Sequence, residues 1–494
     1  MNWIRAIAAL ASDWFTGLFA RYEGAQWDVG RSRIPGAVQS DRFDASEGTR
    51  HQLQLRARYF EKNDALFNKL ADLFCSHVVG GNVQVLPASS DRDWNERAKT
   101  WWDDWGKFCD LNSRQGFARF MARAVRLWFV DGESFILKTR SANTGRARLQ
   151  LIESHLVATP PDLASLEGES IIDGVQIDPS GRPTGYYIAE EDGNGQRTYH
   201  LKSAEMVIHL FEPTRAAQYR GRPFVTPVIN DLHDLSDLQM LEMKAAKDAA
   251  EITNVIKTPS GEVSSLDKRR GALVSNTRTL KTGESVTAAQ TKHDYYQETA
   301  GGRTVVMQTG DDLSQFKSDR PSVATSDYWR YLTERICAGV GIPVVLVFPS
   351  SMQGTVYRGA LDMADAFFKS RFQVVAAAIQ QIFEFAIRDA RTDRRTKLAD
   401  GPADWYRVSV HPPRAVNVDV GRNATAMLKQ LEVGAVTYDM IYGPLGLDWR
   451  EQMRRLKEQE DYAAELGLDL NRAGKAAPAK LEEKTHEQEE ESVV

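Results

Sequence analysis

Two runs of carboxylates, Glu190-Glu191-Asp192 and Asp311-Asp312, are the residues in this chain best suited to hold a divalent metal. Adjacent acids could set Mg²⁺ against a phosphodiester, as a nuclease requires. Each run adjoins a glycine, Gly193 or Gly310, and acid–glycine sequences of this kind form exposed turns. Asp162, in the segment ATPPDL, is a turn residue on the same grounds. The nine histidines include no H-E-x-x-H and no i, i+4 pair, so no zinc-hydrolase pattern is present. Cys75, Cys109 and Cys337 make no C-x-x-C and lie among apolar residues, the setting of small buried hydrophobes in a reducing compartment. A phosphate-binding loop is missing, since Gly474-Lys475-Ala476 lacks both the upstream glycine and the hydroxyl that Mg²⁺ needs. There is no G-x-S-x-G elbow either. The residues thus imply no cofactor, no metal and no enzyme.

Three other groups could touch a ligand without transforming it. Asp231, Asp234 and Asp237 recur every third residue and would line a surface with negative charge. Their ordinary reading is a solvated helix face that complements the N-terminal dipole. Lys268-Arg269-Arg270 is a short basic run of the kind that is usually solvated. Ser350, Ser351, Gln353 and Thr355 surround Gly354 with short uncharged side chains, suited to weak, replaceable hydrogen bonds.

The elements that carry these groups follow from periodicity. A helix is predicted from Gln52 to His77, a strand at 82–86, and helices over Trp94–Phe108 and Gly116–Phe129. Trp101, Trp105, Phe117, Phe120, Val125 and Trp128 recur at core spacing; the competing reading is a base- or sugar-stacking platform. Residues 133–210 alternate and are punctuated by Gly and Pro, which predicts a β-rich region. The span from Pro227 to Lys257 predicts one helix of about 45 Å, striped by Ile229, Leu232, Leu235, Leu238, Leu241, Ala245, Ala249 and Ile252. From Pro259 to Phe316 the chain is polar, with a strand at 303–308. A helix with Tyr328, Leu332, Ile336 and Val340 on one face stops at Gly341 and Pro343. A long helix follows from Tyr357 to Arg391, with Arg388, Arg391, Arg394 and Arg395 at its end. Two helices flanking Gly434 and an acidic, apolar-poor tail complete the chain.

The chain has 494 residues, 42% hydrophobic and 26% charged, enough for more than one core. With 62 basic and 67 acidic residues the net charge is −5, so no overall basic field would grip duplex DNA through its phosphates. No run approaches the ~18 apolar residues of a membrane span. The apolar run Ala6–Ala11 is too short for a signal peptide and is expected to belong to a short amphipathic helix that docks on a partner.

The order of several weak motifs is specific. Arg58, Asn63 and Val78–Gly81 come first, then Trp102, Trp105, Cys109-Asp110 and Asp131-Gly132-Glu133. Leu149–Pro160, Ile171–Ile188 and Arg215–Ile229 follow, then Gly341-Ile342-Pro343 and the loop before the long helix. Trp405, His411-Pro412 and Val418–Ile441 close the series. In this order, from about Gln52 to about Leu468, the chain resembles the lambda-type portal proteins of tailed bacteriophages. It departs from them at SSMQGTVYRGA, where that family more often carries a Tyr-Ser-Ser run.

The resemblance implies an α+β portal fold that assembles as a ring, a dodecamer by analogy. Residues 1–50 would be an N-terminal arm, 51–221 a wing, 222–257 and 320–342 the two stem helices, and 258–319 the clip between them. Residues 343–356 would form the tunnel loop region, 357–417 the long helix and wing return, 418–470 the crown, and 471–494 a disordered tail. On this analogy Ser350, Ser351, Gln353 and Thr355 face the DNA tunnel, Asp231, Asp234 and Asp237 face the channel, and Lys268, Arg269 and Arg270 contact the terminase. Further implied partners are the terminase large subunit, the major capsid and scaffold proteins, a head-completion protein and double-stranded DNA passing without sequence preference. No membrane partner is implied. The place of action would be the portal vertex of the virion after assembly in the host cytoplasm. A metal-dependent DNA-processing enzyme and a different connector or tail ring protein are the alternatives.

Overall fold

The computed structural model describes residues 40–81, 83–112, 115–167, 170–258, 296–299, 302–308, 323–349, 354–413, 420–445 and 447–467. Residues 1–39, most of 259–322, residues 350–353 and the acidic tail lie outside them.

The predicted first helix is two helices. α1 (Glu47–Asn63) and α2 (Ala65–Val78) are separated by Asp64, whose extended backbone breaks the turn and whose Oδ1 accepts the Phe67 N–H at 2.7 Å. β1 (Gln84–Pro87) leads into α3 (Arg92–Gly106), capped by Asp91, and then α4 (Phe117–Asp131). These helices share one core. Phe74 meets Trp128 edge-on at 5.5 Å, and Trp102 meets Phe117 at 5.0 Å. Trp94 and Trp128 are fully buried, and Trp102 and Trp105 nearly so, so these tryptophans serve as core and not as a stacking platform.

The β-rich region splits into two antiparallel sheets. In the first, β2 (Ser134–Arg140) lies between β3 (Ala147–Ile152) and β8 (Val207–Leu210). In the second, β4 (Ile171–Ile172), β5 (Val175–Ile177), β6 (Pro183–Glu191) and β7 (Arg197–Ser203) pair in chain order. A small core of Phe135, Leu137, Val157, Val175, Tyr186, Ile188 and Val207 joins the two.

The next helix, α5, spans Ile229–Glu251 and ends earlier than its apolar stripe predicts. Residues Ile252–Thr258 instead form β9, because Ile252, Thr253, Val255 and Ile256 favour a pleated ladder. β9 pairs in parallel with β11 (Gly302–Gln308), and β10 (Tyr296–Thr299) pairs antiparallel with β11. α6 (Val323–Val340) stops at Gly341, which takes a left-handed φ of 84°. A helical turn at Val344–Val347 occupies ground predicted as loop.

The long helix α7 (Gly354–Thr392) runs for 39 residues, about 58 Å. It buries Phe368, Val375, Ile379, Ile382 and Phe383 against the helical core. β12 (Val408–His411) returns to pair antiparallel with β1. The C-terminal region holds three helices where two are predicted: α8 (Val420–Glu432), α9 (Tyr438–Tyr442) and α10 (Trp449–Glu465). Thr437 caps α9 through the Met440 N–H, starting a helix too short for an apolar stripe to reveal.

Candidate functional site

α5 and α6 pack side by side and antiparallel, the start of one beside the end of the other. Val228 lies against Gly339, and Leu232 and Leu235 of α5 are buried in the same cluster as Leu332 and Ile336 of α6. A β-carbon on Gly339 would overlap the Val228 side chain, so glycine sets how closely the helices approach.

The three aspartates of α5 separate. Asp231 is buried at the helix pair, its Oδ2 2.9 Å from Arg335 Nε on α6, and so is not the free channel-facing carboxylate expected from sequence. The reason is geometric: a three-residue step turns a helix by 300°, so successive aspartates rotate off any single face. Asp234 and Asp237 are exposed, with Asp237 3.2 Å from His233.

Ser350, Ser351 and Gln353 lie outside the described residues, as do Lys268, Arg269, Arg270, Asp311 and Asp312. Thr355 falls in the first turn of α7. The other carboxylate run is structural. Glu191 pairs with Arg197 across the β6–β7 hairpin at 2.6 Å, and Asp192 Oδ1 accepts the Asn194 and Gln196 N–H groups at 2.9 and 2.8 Å. No cluster of three or more metal-ligating side chains occurs among the described residues. All three thiols are pushed up to about 12 by burial, well above the range where a thiolate forms at neutral pH.

Just ahead of α5 the structure assembles a buried ionic network that periodicity does not reveal. Glu133, at the turn between α4 and β2, is fully enclosed. Its Oε1 accepts Arg220 Nη2 at 2.7 Å and Ser154 Oγ at 2.5 Å; its Oε2 accepts the Gly221 N–H at 2.7 Å and lies 2.9 Å from His209 Nε2. Burial alone would raise this carboxyl, but the charge of Arg220, the His209 hydrogen bond and Arg50 outweigh it and hold Glu133 well below the usual carboxylate range. Arg50 of α1 forks onto Asp173 at 2.5 and 2.8 Å, and Arg58 forks onto Asp131 at 2.7 and 2.5 Å.

Gly132 and Gly221 make the network possible. A β-carbon on Gly132 would overlap the Arg222 backbone, and one on Gly221 would overlap the Gly132 carbonyl. The two chains therefore cross in direct backbone contact just ahead of α5. The one signal in the sequence was the pairing of glycine with a charged residue, as in Gly132-Glu133, Asp173-Gly174 and Arg220-Gly221.

Residues 36–358 match the family model described as phage portal protein, lambda family. The chain belongs to the lambda family of phage portal proteins. It is 21% identical over 364 residues to portal protein B of Escherichia phage lambda, covering 69% of this chain and 68% of that one. It is 24% identical over 244 residues to the "Probable portal protein" of Halomonas phage phiHAP-1, covering 45% of this chain and 47% of that protein, about half its length. Among solved structures, a chain from the neck of an empty GTA particle aligns over 82% of this chain and 94% of its own, with 11% identity and a TM-score of 0.47.

The match to the portal family takes in the buried network, α5, α6 and the start of α7. No helix among the described residues is long and apolar enough to cross a membrane.

Proposed function

We propose that this chain is the portal subunit of a tailed-phage head, a ring that forms the DNA channel at one capsid vertex. In this reading α5 and α6 are the stem, the insertion between them is the clip that docks the terminase motor, and α8 to α10 belong to the crown. The protein would pass double-stranded DNA during packaging, retain it, and later receive the head-completion protein. The family match across residues 36–358 carries the reading. The antiparallel stem pair supports it, because it brings the two ends of the insertion to the same end of the stem. The ionic root of that stem also supports it, since a part that transmits load must be rigidly tied to the body it crosses.

Work on the DNA is mechanical in this reading and the nucleotide hydrolysis belongs to another chain. The net charge of −5 suits a duct in which phosphate contacts must stay weak enough not to brake the duplex.

Electron microscopy of the purified protein tests the ring, with a central hole wide enough for B-form DNA as the expected image. A stable monomer at micromolar concentration and low salt would overturn it. Replacing Ser351 or Gln353 by Glu should leave rings intact and reduce DNA packaging or retention, because each copy then adds a carboxylate beside the duplex. Mg²⁺-dependent nicking that vanishes in Asp311→Asn/Asp312→Asn would favour a DNA-processing enzyme instead.

A further inference from the structure

The C-terminal helices α8, α9 and α10 have almost no interior of their own. Of their described side chains and loops, only Gly443 and Ala463 are buried, while Leu428, Val433, Met440, Tyr462 and Leu466 are each more than half exposed. Stacking of Tyr438 on Trp449 holds α9 to α10. Two of their ties to the rest of the protomer are polar: His411 Nε2 lies 3.1 Å from Asp439, and Arg454 Nη2 lies 2.5 Å from Glu96 of α3. Between α3 and the start of α10 runs a charged groove of 620 Å³. A unit with so little buried apolar surface does not stand alone.

The charges of α10 identify what completes it. Its first half carries Arg450, Arg454, Arg455 and Lys457 against Glu451; its second half carries Glu458, Glu460, Asp461 and Glu465 and no cation. This order opposes the helix dipole, which favours anions at the N-terminus and cations at the C-terminus. An isolated helix is weakened by it, and an outside partner of matching charge offsets the penalty. Within the protomer Arg454 is taken by Glu96 and Arg455 by Glu451. Lys457 has no ion-pair partner among the described residues, nor do Glu458, Asp461 and Glu465.

We propose that α10 is a docking surface for a second copy of this chain, the cationic half of one copy lying against the acidic half of the next. One helix thus supplies both complementary patches of a head-to-tail contact, the kind that can repeat around a closed ring. Tyr462 and Leu466, beside the acidic half, are covered in the same contact. This inference rests on the ring reading above and adds which surface joins the C-terminal helices and by what charge pattern.

The test compares full-length assembled protein at low salt in three charge variants. One carries Arg450→Glu and Lys457→Glu, the second Glu458→Lys, Asp461→Lys and Glu465→Lys, and the third all of these changes. Each of the first two should speed hydrogen exchange across residues 449–465 about tenfold, the effect of losing roughly 1.4 kcal/mol of local contact. The third, with both patches reversed, should return exchange to the parent rate. Rings with unchanged exchange in the first two variants would overturn the contact and leave the ring standing, with another protein as the occupant. A fully reversed chain no better protected than the partial ones would also overturn it. A parent chain that forms no rings would overturn both readings together.

Discussion

Arg220 lies 87 residues from Glu133 in sequence and places Nη2 2.7 Å from its Oε1, where both side chains are buried. The pair ties the approach to α5 to the turn between α4 and β2, so α5 cannot shift without disturbing that turn. Taking one partner away strands the other charge in a low-dielectric site. Arg220→Met should therefore cost about 3–5 kcal/mol, read as a lowered denaturant midpoint. Glu133→Leu combined with Arg220→Met should recover part of that loss, because a buried ion pair gives little over a well-packed apolar pair.

The same network sets an acid limit. Glu133 is held well below its usual range in the folded protein, so the folded form binds a proton less readily than the unfolded chain. The stability it contributes is present above the unfolded carboxyl value, ~4.3, and is lost as pH falls through the depressed folded value. His209 acts in the same direction. Burial lowers it despite the pull of Glu133, so its share is present above the unfolded imidazole value, ~6.5, and declines below that. Melting temperature should thus fall progressively from near pH 6.5 downward. His209→Gln should flatten the upper part of that slope, and differential scanning calorimetry across pH would show whether it does.

Gly132 has a left-handed φ of 87° and no room for a β-carbon. Gly132→Ala combines backbone strain of about 1–2 kcal/mol with a clash against the Arg222 main chain that only separation of the two segments relieves. The variant should express poorly or melt far below the parent. Gly48→Ala is the matched control: it lies in α1 with nothing within 4 Å, and should stabilise by about 0.5–1 kcal/mol.

How much could be read from sequence depended on how local the cause was. The stripes of α6 and α7 were legible because burial repeats at the helical period, and Trp105 and Trp128 were legible as core for the same reason, although beside them it is Trp102 and not the expected Trp101 that is buried. The break at Asp64 was not, since one cap residue interrupts a stripe that continues in phase on both sides. The end of α5 was hidden because Ile252 continues its stripe while also preferring the ladder with β11. Asp231 was grouped with Asp234 and Asp237 by spacing, although its partner Arg335 lies on another helix. The Glu133 network joins segments up to 123 residues apart, a relation that no periodicity encodes.

The three thiols should be nearly inert in the folded protein. Burial pushes Cys75, Cys109 and Cys337 up to about 12, so almost no thiolate exists at pH 8, and Cys109 and Cys337 are closed to solvent as well. A chromogenic disulfide reagent should titrate three thiols in denaturant and far fewer, slowly, in the native state. Cys75, the half-buried one, should react first.

The three aspartates of α5 should divide in their effects. Asp231 is buried against α6 and paired with an Arg335 side chain that is itself 55% exposed, so water screens part of the attraction. Asp231→Asn or Arg335→Ala should lower the melting temperature modestly, chiefly because each leaves the buried Asp231 position short of its partner. Asp234→Asn and Asp237→Asn touch exposed side chains and should leave the melting temperature within error. If those two carboxylates face the channel of the proposed ring, Asp234→Lys/Asp237→Lys should slow DNA passage at low salt and recover as salt rises, because added cations bind phosphate by releasing counterions. Equal melting temperatures for Asp231→Asn and Asp237→Asn would remove the special place given to Asp231. Unaltered packaging kinetics in the double lysine variant, with rings confirmed by microscopy, would take Asp234 and Asp237 off the channel wall.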